Sequence, residues 1–180
     1  VKSAKHHIMR TVTMTLTFEE FSTLAAQIEA ILNSRPLTPM STDPSDLGAL
    51  TPGHFLIGDA ITSPPSQDLT TVNINRLDRW QQVEHMKQAI WKRWYKDYLN
   101  ELQQRKKWIK EKPDIKVGDM VVLKDDNLPP TMWLLGRIEE VYPGKDDKVR
   151  TVSIRTKTGI TPRSIAKICL LPIEDNFEER

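Results

Sequence analysis

The sequence predicts an α+β fold: N-terminal helices, one long helix, and a small β-barrel towards the C-terminal end. Three observations carry this. Apolar residues step by three or four through residues 21–32 and again through 77–102. The second run contains neither Gly nor Pro. After Pro113 the apolar period shortens to two, with Gly, Asp and Pro marking the turns. Periods near 3.6 and 2 distinguish a helix face from a half-buried strand.

Residues 1–10 have helical composition, and Lys2 and Lys5 share one face. Thr17 with Glu20 reads as a capping box. Phe21, Leu24, Ala25, Ile28, Ile31 and Leu32 then form an apolar stripe, and Pro36 ends the helix by disfavouring the α region before it. Helices this short need a larger body to pack on. Residues 37–46 read as loop, Thr51-Pro52 as a helix start, and 59–73 as an extended linker. The long helix places Leu77, Trp80, Val83, Met86, Ile90, Trp94, Tyr98 and Leu102 on one stripe. About 35 residues at ~1.5 Å each make a rod of roughly 50 Å. Across residues 74–112 eleven basic residues stand against five acidic ones, and Trp91, Trp94, Tyr95 and Tyr98 lie among the cations.

Five strands are expected after Pro113: residues 120–124, 133–142, 149–157, 160–163 and 165–171. Glu139-Glu140 breaks the alternation and predicts a bulge, and Thr158-Gly159 predicts a hairpin turn. Val152 and Ile154 point inward, whereas Thr151, Ser153, Arg155 and Lys157 point outward. Five short strands in about 60 residues fit an SH3-like or chromo-like barrel. The expected organisation is 1–36, two helices; 37–73, loop and short-helix linker; 74–112, the long basic helix; 113–173, the barrel; and 174–180, an acidic tail.

The net charge is only +2, but it is segregated: residues 1–16 carry +3, 17–73 carry −6, and 74–112 carry +6. Such segregation points to localised partner surfaces. The single Cys169 excludes an internal disulfide or a cysteine-rich zinc site and reads as a core thiol. No apolar run approaches the ~20 residues of a membrane span, and no secretory signal opens the chain. An intracellular protein is expected. The start in mid-pattern at VKSAK reads as a piece of a longer chain. Asp125-Asp126 and Asp146-Asp147 sit in turns and do not converge as Mg²⁺ ligands would. His6, His7, His54 and His85 lack metal-ligand spacing, and His6-His7 reads as a surface or DNA-facing pair. No cofactor is expected in this chain.

These residues describe a binding chain rather than a complete enzyme. One class of partner is DNA, held by Lys92, Arg93, Lys96, Arg105, Lys106 and Lys107 on the helix and Arg155, Lys157 and Arg163 on the barrel. The competing reading of the same cations is a solvated surface. The other class is a peptide or chromatin reader, with Trp133 and Tyr142 as an aromatic cage.

The strings LTFEEFSTLAAQIEAILNSRPLTP, LTPGHFLIG, INRLDRWQQVEHMKQAIWKRWYKDYL and VGDMVVLKDDNLPP resemble the C-terminal part of BEL/Pao-type LTR-retrotransposon integrases. The last three resemble a domain of unknown function that commonly ends those polyproteins. The resemblance implies a parent with an RNase-H-like core, a Mg²⁺-binding Asp-Asp-Glu triad and a C-terminal barrel. In that family the catalytic Glu lies in a GLWEAAVKSAK-like string, which places it just before Val1. No triad carboxylate is therefore carried over, and no enzyme activity is expected of this chain. Related integrases carry two basic residues three apart on the helix that follows, contacting the element's DNA end; Lys2 and Lys5 match them. The implied role is DNA binding and assembly, with DNA, further integrase domains or a second copy as partners. The implied location is the nucleus or a cytoplasmic virus-like particle. An inactive, domesticated remnant is the alternative.

Overall fold

The computed structural model describes residues 2–104, 115–144 and 149–172, with the side chains of residues 2, 3 and 104 excepted. Its mixture of helices and antiparallel strands is an α+β architecture. The chain divides into two units. The first comprises residues 1–35, 52–98 and 126–132, and the second comprises 36–51, 99–125 and 133–180.

The first unit is helical. Helix α1 spans Lys2–Thr11 and α2 spans Phe18–Asn33. The capping box is present: Glu20 N donates to Thr17 Oγ1 at 3.3 Å, and Thr17 N donates to Glu20 Oε2 at 2.8 Å. Leu24 and Ile28 are buried against Val83, Met86 and Ile90 of α4, with Ala4, Ile8, Val12 and Met14 packed around them. The α2 stripe is thus covered by α4. Each fully buried Leu or Ile contributes about 1.5–3 kcal/mol by area. Phe21, at the end of the stripe, is 48% exposed and does not join the core. Helix α3, Pro52–Ile57, begins on its proline as expected, and Gly58, at φ 78°, closes it by donating to His54 O.

Helix α4 spans Arg79–Gln104, its residues through Tyr98 belonging to the first unit. It starts later than the periodicity predicts. Residues Ile74–Arg76 form a separate 3-10 turn capped by Asn73, and Leu77 is extended. Gln81 N donates to Asp78 Oδ1 at 2.8 Å and Asp78 N to Gln81 Oε1 at 3.1 Å. This reciprocal cap satisfies donors that a new helix leaves open, so the helix begins at Arg79. The predicted end, 105–112, lies outside the described residues.

The buried arc of α4 is also wider than one stripe. Val83, Met86, Ile90 and Trp94 are buried as expected, but so are Trp91 and Tyr95, which sequence placed among the cations. The reason is a second covering layer. Gln88 Oε1 accepts from Leu69 N at 2.9 Å, and Trp91 Nε1 donates to Leu128 O at 2.9 Å. Trp80, predicted on the stripe, is instead 63% exposed.

Among the described residues, the second unit holds two sheets. Strands β1 (Thr38–Pro39) and β2 (Ala49–Leu50) form a short antiparallel pair inside the segment read as loop. The main sheet has β3 (Met120–Leu123), β4 (Leu135–Pro143), β5 (Val149–Thr156), β6 (Gly159–Ser164) and β7 (Ile168–Leu170). Its order is β6-β5-β4-β3-β7, a meander whose last strand returns to pair with the first. The ladder is open in this order rather than closed into a ring. Val121, Leu123, Ile138, Val152, Ile154 and Ile168 form its core. The register of β4 against β5 jumps between Ile138 and Glu140, so Glu139 is the extra residue of the predicted bulge. The last predicted strand is split: a 3-10 turn, Ile165–Lys167, precedes β7. Ser164 Oγ accepts from Ala166 N to close that turn.

Two residues explain how β4 fits. A Cβ on Gly136 would collide with Ile154 Cγ2 and lie 2.7 Å from Arg155 O, so only glycine allows this strand approach. Arg137 is 5% exposed. Its guanidinium donates to Asp46 O at 2.8 Å, Gly118 O at 3.0 Å and Ser41 O. A strand position that alternation assigns to solvent thus ties the 41–46 loop to the sheet.

Candidate nucleic-acid interface

A strongly cationic cleft, of about 500 Å³, lies wholly within the first unit. Helix α1 supplies His6, His7 and Arg10, and α4 supplies Arg93, Lys96 and Asp97. Positions three and four apart share a helical face, which gathers each set on one side of its helix. Three permanent cations and two imidazoles therefore surround a single carboxylate.

His7 is 4% exposed. Its Nε2 lies 3.8 Å from Asp97 Oδ2, and its ring meets His6 edge-on at 5.4 Å. Burial pushes its pKa below the ordinary value; Asp97 opposes this, while His6, Arg93 and Arg10 reinforce it. The imidazole is accordingly neutral at pH 7. Arg93 Nη1 donates to Arg10 O at 3.4 Å, a link between α1 and α4. Lys96 Nζ lies 3.5 Å from Asp126 Oδ1, a pair whose side chains are 61% and 76% exposed. Exposed pairs of this kind contribute little and exchange partners readily.

Of the residues chosen from sequence, Arg93 and Lys96 line this cleft together. Lys5 is exposed on α1 and does not line the cleft. The side chain of Lys2 lies outside the described residues, as do Arg105, Lys106 and Lys107. Lys92 faces elsewhere, with Asp68 Oδ2 at 3.2 Å and Thr70 Oγ1 as partners. The three barrel cations do not form one face. Arg155 pairs in the ladder with Arg137 and Ile160, and its guanidinium is engaged by Glu139. Arg163 pairs with the core residue Val152, which puts it on the other side of the sheet. Lys157 is exposed in the turn after β5. Trp133 and Tyr142 do not make a cage either. They flank opposite ends of β4, roughly 30 Å of extended chain apart. The Tyr142 hydroxyl is bonded to Glu140 and Ser153.

Sequence reasoning missed Arg10 and read His6-His7 as a surface or DNA-facing pair, whereas His7 is buried. The available signal was the spacing of His6, His7 and Arg10 on one face of α1. Among the described residues no three His, Cys, Asp or Glu side chains form a metal site, and no helix is long and apolar enough to cross a membrane.

No curated protein and no solved structure matches the chain. The family described as "Family of unknown function (DUF5641)" matches residues 78–171, from the cap of α4 to the end of the sheet. That is over half of the 180 residues, and the chain belongs to this family.

Proposed function

We propose that the chain binds nucleic acid by its phosphate backbone, at the cleft between α1 and α4, as the DNA-binding and assembly part of a retrotransposon integrase. The integrase reading rests on the residue strings. The binding reading rests on one observation: Arg10, Arg93 and Lys96 converge on one cleft beside two histidines and a single carboxylate. A guanidinium fork donates to two phosphate oxygens at once, so Arg10 and Arg93 position the backbone. Lys96 acts as a mobile point charge once it leaves Asp126. Phosphate contacts carry no base information, so binding is independent of sequence. In this reading strand transfer and its Mg²⁺ belong to the parent's triad, outside this chain.

Charge reversal tests it. With a labelled random duplex at low salt, Arg93→Glu weakens binding about tenfold or more, measured by fluorescence anisotropy. Arg163→Glu, a cation that does not line the cleft, changes it less than about twofold. Equal losses from the two variants would move the interface to the sheet.

A further inference from the structure

A second cleft, of about 380 Å³, lies in the same unit on another face of α4. Trp80, Glu84 and Lys87 line it, whereas Arg93, Lys96 and Asp97 line the cationic cleft. At 100° per residue the two sets are roughly 150° apart around the helix. The walls are Gln27 of α2, the Pro64-Pro65 segment and Pro130-Thr131.

Three features mark this cleft as a recognition site. First, Trp80 is 63% exposed beside those prolines. An exposed indole in an apolar cleft is the residue type that anchors binding partners. Second, Lys87 is 9% exposed, and among the described residues its Nζ is engaged by Glu84 Oε1, at 2.8 Å. An ammonium has three donors, so two remain. Glu84 Oε1 is shared, accepting also from Ser66 Oγ at 2.6 Å and Gln88 Nε2 at 3.1 Å. Across the cleft Gln27 Oε1 is buried with no hydrogen-bond partner among the described residues. Third, Thr131 holds φ 66°, a conformation that β-branched residues avoid. Ser63 N, which donates to Thr131 Oγ1 at 2.9 Å, helps keep it there. Backbone held against its preference clusters at ligand sites.

The charges select the ligand. Glu84 and Lys87 cancel, so the cleft is neutral and offers nothing to offset a phosphate. Its spare groups are donors on Lys87 and an acceptor on Gln27, which together match the C=O and N–H of a peptide. Trp80 and the prolines match a flat apolar side chain such as proline. We infer that this cleft docks an extended, uncharged peptide segment containing proline, presented by a protein partner, in the manner of polyproline-II recognition.

The probe is acetyl-(Ala-Pro)5-amide, titrated into the full chain while the Trp80 indole N–H is followed by NMR, the signal being assigned from Trp80→Phe. The peptide shifts that signal with a Kd below about 1 mM. Trp80→Ala and Gln27→Met each weaken binding about tenfold or more, read from a labelled peptide. Neither substitution threatens the fold, since one removes an exposed ring and the other a buried acceptor with no partner. Two results overturn the inference: no shift at saturating peptide, or a shift caused by single-stranded (dT)10 and not by the peptide, which would make the cleft a base pocket.

Discussion

His7 carries the clearest pH dependence at the residue scale. Its folded pKa is lowered, first by burial and then by nearby cations, against the opposing pull of Asp97. The unfolded chain therefore binds more protons near pH 6 than the folded one. The stability tied to neutral His7 is complete above the unfolded value of about 6.5 and is lost as pH falls through the lower folded value. A urea midpoint should drop between pH 7.5 and 5.5, and His7→Gln should shrink that drop. Carboxylates with lowered pKa, such as Glu84, act at more acidic pH. In Glu84, burial pushes up while the Lys87, Ser66 and Gln88 contacts outweigh it. Gly136 gives a second test. An alanine methyl there has no room beside Ile154 and Arg155 O, so Gly136→Ala should cost about 1–3 kcal/mol in equilibrium unfolding. Arg137 shows why such positions escape a sequence reading. Alternation places it outward, and nothing local says that three backbone carbonyls will cover it.

At the scale of elements, helix α2 tests whether its stripe is a working core face. Leu24 is 1% exposed and packs with Val83, Met86 and Ile90. Leu24→Ala should cost about 2–5 kcal/mol, as large-to-small changes in a formed core do. A loss below about 1 kcal/mol would mean that the stripe is not covered in solution. Asp78→Ala should cost about 1 kcal/mol, because it removes the cap that starts α4. Local chemistry made several elements legible: the Thr17–Glu20 capping box, the bulge at Glu139 and the inward pair Val152 and Ile154. The Asp78–Gln81 cap used the same chemistry but was hidden by an unbroken apolar period running through it. Trp80 fits that period and yet is exposed, because periodicity ranks faces of a helix and does not say where its covering layer stops.

Linear charge counting misleads at the scale of the whole molecule. Eleven cations between residues 74 and 112 suggest a basic rod. Arg79 is paired with Glu20, Lys87 with Glu84 and Lys92 with Asp68, all in the first unit. The acidic stretch 17–73 supplies the Glu20 and Asp68 partners, so its −6 and the helix's +6 partly cancel on folding. Arg10, Arg93 and Lys96, the last paired with the exposed Asp126, gather instead on one cleft, which depends on α1 meeting α4 and could not be read from either helix alone.

The measurement that bears most directly on this cluster is the salt dependence of duplex binding. Three phosphate contacts at about −0.9 each give a slope of log affinity against log salt near −3, or about 40-fold weakening between roughly 50 and 200 mM. The Arg10→Glu/Arg93→Glu variant should flatten that slope towards about −1. A wild-type slope near zero, or a steep slope that the double variant leaves unchanged, would contradict the assignment of nucleic-acid binding to the α1–α4 cleft.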